Sequence, residues 1–478
     1  MTRVLLLGGD LAAFAAALDL AEVGVKVWIA DSALRAPAFD VRDPGGHISG
    51  LLGELAAPPV AAAPRNPGAA PWAVAHPVTR LRARDGSWQP VPASGVWGIP
   101  TFPLSKECID LVGTAAAFRG YLDRLKPVLT IGKERNFGKL VEARLGRAVR
   151  ETIVEPLVVE RFGVPSHETE VALVEPGLNE ALTRAGSLSG GAFQQLEEHT
   201  AREVIIEPAV GWDAFGPLLV ELLELYGAER FTGEVRSLQP ADREGDEESA
   251  GWIVLDELGA QHSFDAVLGE HADVSAAVAG AHAAGAAEDG AESRSALSAQ
   301  LARLAPTRTR QYAEIGIQAA HGEAGTLAKG DALAAMSGLG ETGRLFLVDS
   351  PAGGTWAARV SAGLEGGARL RLSGPAEAED GGSGGLSGAG ARPPFAEALA
   401  KLGAASAAET ASVWTRSASH ATAAERAERQ LAREEWAAEY PSLLVLGESL
   451  HGGDLGHAVG EARELAVRLR RKLTGISE

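Results

Sequence analysis

Cys108 is the only cysteine in the 478-residue chain. No intrachain disulfide, cysteine zinc site or iron–sulfur site can be built from it. A reducing, cytoplasmic setting is expected. Positive charge is also scarce: 44 Lys and Arg stand against 63 Asp and Glu, a formal net charge of −19. That balance argues against nucleic acid and against an anionic membrane surface as partners. Small neutral ligands and basic partners remain open. No stretch reaches ~18 apolar residues without a charge, so no transmembrane helix is expected. The first residues run directly into a strand pattern, with no basic n-region followed by an apolar h-region, so no secretory leader is expected. The 11 histidines show no H-E-x-x-H or other metal spacing. They are read as structural or solvated, and no metal ligand is assigned.

Against these absences, 46% of residues are hydrophobic, enough for a large core and two or three domains. The first thirty-two residues carry the clearest pattern. Val4-Leu5-Leu6-Leu7 is the apolar run of a buried parallel strand. Gly8-Gly9 breaks it, Leu11 to Glu22 reads as an Ala-rich helix, and Gly24 stands where a C-cap is expected. Val25 to Ile29 is a second strand, with Asp31 at its end. This is the layout of a dinucleotide-binding βαβ unit, whose acid lies about twenty residues past the glycines to meet a ribose hydroxyl. The G-x-G-x-x-G/A fingerprint falls on Gly8 to Ala13. Ala13 is allowed at its third site. Asp10 takes the second, where glycine lets the backbone approach a pyrophosphate. Two unit charges ~4 Å apart at an effective dielectric of about 20 repel by roughly 4 kcal/mol, close to three powers of ten in affinity. Asp10 is equally a favoured N-cap, and a carboxylate at a helix N-terminus occupies the place of a phosphate.

Further along, Arg80 to Pro92 reads as a hairpin around Asp85-Gly86, and Gly95 to Pro100 as a compact turn. Lys106 to Leu125, Asn136 to Arg144 and Arg147 to Val159 are helical, forming a helical insertion. Gly177 to Thr200 has helical periodicity, with breaks expected at Gly186 and Gly190-Gly191. Phe215 to Tyr226 is an amphipathic helix; Val204 to Ile206, Glu229 to Leu238, Trp252 to Leu255 and Phe264 to Leu268 are strands. Ala272 to Ala302 reads as helix with a disordered middle, Leu345 to Val348 and Ala368 to Leu372 as strands, and Gly374 to Pro394 as a mobile low-complexity loop. At the end, Ser442 to Leu446 is a strand, Gly447 to Gly453 a turn, and Leu455 to Leu473 a helix.

Several stretches resemble the FAD-dependent amine oxidase superfamily, and within it the oxygen-dependent porphyrinogen oxidases of haem biosynthesis, acting on protoporphyrinogen or coproporphyrinogen. They are SGVWGIPTFP from Ser94, LVEARLGRAVRETIVEPLV from Leu140, EPGLNEALTRAGSLSGGAF from Glu175, FDAVL from Phe264 and LLVLGESLHGGDLGHAV from Leu443. The resemblance implies an α/β fold: a split Rossmann-like FAD/NAD(P)-binding domain with a helical insertion and a mixed-sheet substrate domain. The FAD-binding parts would be residues 1–92, 201–275 and 439–478, the insertion 93–200, and the substrate-like domain 276–438. It also implies FAD at Gly8, Gly9, Ala13, Asp31, Gly447, Glu448, Gly453 and Leu455. A carboxylated tetrapyrrole would be the substrate, with Arg119, Arg124, Arg144 and Arg147 either near its pocket or on a solvated basic face. The departures fall where flavin would bind. Asp10 and Asp454 replace glycines at two helix starts, the Gly-Gly-Arg turn is absent unless Gly45-Gly46-His47 is its remnant, and no Asp-x-Gly-Ala segment follows.

In that family the flavin takes hydride and passes electrons to oxygen, while the protein binds and orients. No catalytic side chain is therefore nominated. Three readings stand: an FAD-dependent, oxygen-linked porphyrinogen oxidase; a non-catalytic homologue that has lost FAD and serves as a binding or partner protein; and a nicotinamide dehydrogenase, which leaves the C-terminal motif without a role. Oligomeric state and protein partner are not legible.

Overall fold

The computed structural model describes residues 2–30, 40–57, 66–74, 78–127, 134–241, 251–283, 291–317, 342–350, 354–362, 368–378, 394–402 and 405–474. The chain divides into two compact units. One comprises Met1–Ala75, Arg202–Ala305 and Arg426–Glu478; the other comprises His76–Ala201 and Pro306–Glu425.

The first unit is built on a five-stranded sheet whose adjacent strands all run parallel. Its spatial order is Leu443–Leu446, Ala266–Glu270, Arg3–Leu7, Lys26–Ile29 and Glu229–Arg230. Val4 lies opposite both Ala266 and Val27. A parallel sheet is covered on both faces, which is why its inner strands read as unbroken apolar runs. The two-residue side-chain period then sorts them. Val4, Leu6, Val27, Ile29, Leu268, Leu444 and Leu446 pack against helices Leu11–Ala21, Trp212–Leu225 and Leu455–Leu473. Leu5, Leu7, Val267, Leu443 and Val445 face the opposite layer. That layer holds helices His271–Ala283 and Ala291–Leu304 and the antiparallel strands Val235–Pro240, Trp252–Asp256 and Gln261–Phe264. Alanine is what lets Leu11–Ala21 pack closely: Ala12, Ala13, Ala15, Ala16 and Ala17 are all fully buried.

The second unit carries an antiparallel five-stranded sheet in the order Leu345–Asp349, Thr355–Ala362, Ala368–Ala378, Arg308–Ile317 and Ser412–Ser417. Helix Pro394–Lys401 closes one face through Phe395, Ala398 and Leu399. A helical assembly includes Lys106–Val112, Thr114–Tyr121, Phe137–Leu145, Glu155–Phe162, Leu178–Ala185 and Leu188–Arg202. The backbone widens to a π-type turn over Arg150–Val154, just before Pro156, which lacks a donor for the helical ladder. Among the described residues, no helix is long and apolar enough to cross a membrane.

Some elements depart from the expected pattern. Gly190 and Gly191 lie inside Leu188–Arg202, and only Gly186 ends a helix there. Gly191 is needed within the helix: a Cβ would stand 2.8 Å from the Leu182 amide of the neighbouring helix. Glu229 to Leu238 is two strands rather than one. Gly374 to Ala378 continues a strand and Pro394 opens a helix, so the ends of the expected loop are ordered; 379–393, like 242–250 and 284–290, lies outside the described residues.

Candidate functional site

The C-terminal ends of the parallel strands bring the sequence-marked turns together. After Arg3–Leu7 the chain passes through Gly8, with φ +95°, and Gly9, then enters Leu11–Ala21. Asp10 is the N-cap. Its carboxylate accepts from the Ala12 amide at 2.7 Å and is buried, so the capping expected of it is realised. Ala13 is buried in the helix–sheet core, where a small side chain is required. After Leu443–Leu446 the chain turns at Gly447, with φ +119°. A short turn follows over Glu448–His451, then Gly452 and Gly453, both with positive φ. The Gly453 amide donates to the Glu448 carbonyl at 2.9 Å. Asp454 caps the next helix, accepting from the His457 amide at 3.0 Å, and Leu455 packs into the core. Asp31 lies outside the described residues.

Two further acids enter that were not singled out in the sequence. Asp273, in the first turn of His271–Ala283, lies against Gly8: a Cβ there would stand 2.0 Å from its Oδ2. Glu270 ends strand Ala266–Glu270, the neighbour of Arg3–Leu7. A Cβ on Gly447 would stand 3.3 Å from Glu270 Cγ and 3.3 Å from Asp10 Oδ2. The local signal for them was two acids directly after the buried strand FDAVL. Their spatial neighbours were not encoded locally.

At Gly8 the Asp273 carboxylate stands in the space that the missing Cβ leaves, and at Gly447 the side chains of Asp10 and Glu270 pack closely beside the Cβ position. One amide at each of two helix N-termini, where a phosphate would be bound, is engaged by an aspartate. A pyrophosphate there would face Asp10 at roughly 4 kcal/mol of repulsion per close charge pair, on the ~4 Å, intermediate-dielectric estimate. The described residues do not fit the diphosphate of FAD.

Gly45-Gly46-His47 forms a turn into helix His47–Ala56, which Asp43 caps through the Ile48 and Ser49 amides at 3.0 and 2.7 Å. The His47 ring lies over Gly460, where a Cβ would stand 2.9 Å from it. Among the described residues, no group of three or more His, Cys, Asp or Glu could hold a metal ion.

The arginines of the helical insertion do not converge on one pocket. Arg144 is buried against Asp123 at 3.1 Å and donates to the Lys126 and Pro127 carbonyls. Arg119 donates to the Ala143 and Arg144 carbonyls, Arg147 pairs with Glu151 at the surface, and Arg124 lies over the Tyr121 ring. Within Gly186 to Gly190, the expected turn holds only to Ser187, whose Oγ accepts from the Gly190 amide at 3.1 Å and so caps the start of helix Leu188–Arg202.

The architecture is α/β: a parallel sheet assembled from the beginning, middle and end of the sequence, with the segments between them forming a second unit of antiparallel sheet and helices. It is shared with a solved protein of Exiguobacterium sp. 255-15 that carries the provisional name protoporphyrinogen oxidase. The likeness covers 98% of this chain and 99% of that one, at 15% identity and a TM-score of 0.63. An oxidoreductase from Methanosarcina mazei matches over 97% of this chain and 100% of its own, at 11% identity and a TM-score of 0.51. The resemblance to the porphyrinogen oxidases thus holds as a likeness of fold. No family model and no curated protein sequence matches the chain.

Proposed function

We propose that this chain is a porphyrinogen-oxidase-like protein that does not retain FAD, a non-catalytic homologue acting as a binding or partner protein. The Asp273 carboxylate lying across Gly8 carries this reading, because it occupies the first turn of the nucleotide fingerprint. Asp10 and Asp454 reinforce it at the two helix starts. The name of the Exiguobacterium neighbour makes a porphyrin the small molecule to test as ligand.

The purified protein is expected to be colourless, and FAD fluorescence is expected to stay unquenched on titration with it. Asp10→Gly with Asp273→Ser and Asp454→Gly removes three carboxylates and should strengthen flavin binding by orders of magnitude if the rest of the cradle is intact. A yellow parent protein with one flavin per chain would overturn the proposal. It would instead favour FAD-dependent, oxygen-linked oxidation of a porphyrinogen.

A further inference from the structure

The edge of the parallel sheet leaves one residue unfinished. Leu443–Leu446 is an outermost strand, paired on one side only, with Ala266–Glu270. The Val267 amide donates to the Ser442 carbonyl at 2.9 Å, so Ser442, Leu444 and Leu446 turn their backbone groups toward the sheet. Leu443 and Val445 turn theirs outward. Leu443 is satisfied on that side: its amide donates to the Tyr440 carbonyl at 3.0 Å, and its carbonyl accepts from Trp436 Nε1 at 2.9 Å. The outward N–H and C=O of Val445 have no partner among the described residues, although Val445 is only 4% exposed. Buried backbone groups are nearly always paired, so this edge calls for a partner from outside the chain.

A pocket of about 260 Å³ opens on Val445, between helices Ala423–Glu439 and Leu455–Leu473 and lined only by residues of the first unit. That is far more than the ~10–15 Å³ that admits one water, and just short of the ~300 Å³ at which pockets for drug-sized ligands begin. Leu304, Trp436, Leu450 and Leu465 supply apolar wall. Arg433 is fixed in the lining, donating to Glu461 at 3.2 Å and to the Leu450 carbonyl at 2.8 Å. Glu464 and Arg468 line the pocket one helical turn apart; both are exposed, and neither has an ion-pair partner among the described residues. Glu434 lines it from the other helix.

We infer that this pocket binds a short zwitterionic peptide, about two or three residues long, which adds one residue of strand to the sheet. An extended residue offers a carbonyl and an N–H on the same edge, which match the N–H and C=O of Val445 in a hydrogen-bonded antiparallel pair. Glu434 and Glu464 receive the peptide ammonium and Arg468 its carboxylate, while an apolar side chain packs on Leu304, Leu450 and Leu465. A phosphate ester is the poorer ligand, because Glu434, Glu461 and Glu464 would face it. A simple cation leaves the Val445 N–H and Arg468 unanswered. A strand of a protein partner is too long: Trp436 and Tyr440 occupy the edge beside Leu443, and the chain turns away at Gly447, with φ +119°.

The test is calorimetric titration of the full chain with the tripeptide Ala-Leu-Ala, with exchange of the Val445 amide followed by NMR. The peptide should bind saturably and slow that exchange by about tenfold or more, since the amide gains an acceptor. N-methylation of the peptide's leucine removes the donor to the Val445 carbonyl and should weaken binding by about tenfold or more. Amidating the peptide's C-terminus, or Arg468→Gln in the protein, should each cost about tenfold, and the two losses should not add, because they remove the same contact. Ala437→Phe places a ring in the pocket and should abolish binding. Arg468 is exposed, so its variant should melt at the parent temperature and keeps the test open if Ala437→Phe fails to fold. The inference is overturned if Ala-Leu-Ala does not bind saturably at millimolar concentration, or if the N-methylated peptide binds as well as the parent. It is also overturned if binding survives in a folded Ala437→Phe variant.

Discussion

Single side chains explain much of what happens at the strand ends. Asp10 and Asp454 each satisfy an otherwise unpaired amide in the first turn of a helix. Asp10→Ala and Asp454→Ala should each lower stability by about 1 kcal/mol, read as a drop in melting temperature. Asp454 also bonds the His457 ring at 2.8 Å, and this contact raises the His457 pKa above its ordinary value of 6.5. The sign follows from linkage. The pair stabilises the fold fully below the unfolded pKa, and the contribution fades as pH rises through the higher folded value. The imidazole is mostly exposed, so the effect on stability is small. Its clear readout is an NMR titration of the ring, in which Asp454→Asn should lower the midpoint. At Cys108 it is the neutral form that the environment favours. Burial pushes its thiol up to about 11, so it should resist a thiol reagent at pH 8 until the chain is unfolded. Rapid labelling of the native protein would contradict this.

At the scale of elements, one buried contact ties three segments of the second unit. Asp123, only 1% exposed, accepts from Arg144 and from the Leu188 amide at the start of Leu188–Arg202. Arg144 in turn supports the carbonyls of Lys126 and Pro127. Asp123→Leu leaves a buried guanidinium without its counter-charge and should cost about 3 kcal/mol or more. Asp123→Leu with Arg144→Met should recover part of that loss, because replacing both partners removes the stranded charge. Denaturant melts of the two variants distinguish a needed ion pair from mere packing. Arg310 is also buried, but its bonds go to the carbonyls of Val159, Glu160, Arg161 and Gly374, so it terminates helix Glu155–Phe162.

For the whole molecule, the strand-end acids predict a fold that stands without nucleotide. A site binding FAD would stabilise the native state by about 2.7 kcal/mol at a ligand concentration of a hundred times Kd. The melting temperature is therefore expected to stay unchanged at high FAD, and a clear upward shift would show a functioning cofactor site. The elements hardest to read were those whose polarity hid their role. Arg308–Ile317 and Thr355–Ala362 were not marked as strands, because Arg310, Gln311, Glu314 and Arg359 interrupt the apolar signal. Helix Ala423–Glu439 was missed for the same reason: it buries only Ala432 and Trp436 and is otherwise charged. Helix His47–Ala56 sits in a stretch of weak periodicity and is held by the Asp43 cap.

The sequence by itself determined what depends on near neighbours. Val4 to Leu7 and Leu443 to Leu446 are strands because both their faces are apolar, and Asp10 and Asp454 are caps because the helix they begin follows at once. Leu455–Leu473 was legible from end to end, since its buried positions recur at the helical period. Tertiary structure alone decided which strand ends would meet. Glu270 looks like an ordinary strand-end acid and Asp273 like an ordinary first-turn acid until the parallel pairing of Ala266–Glu270 with Arg3–Leu7 lays Asp273 against Gly8. The missing Cβ of Gly8 creates a space, but only the register of two strands distant in sequence determines which side chain fills it.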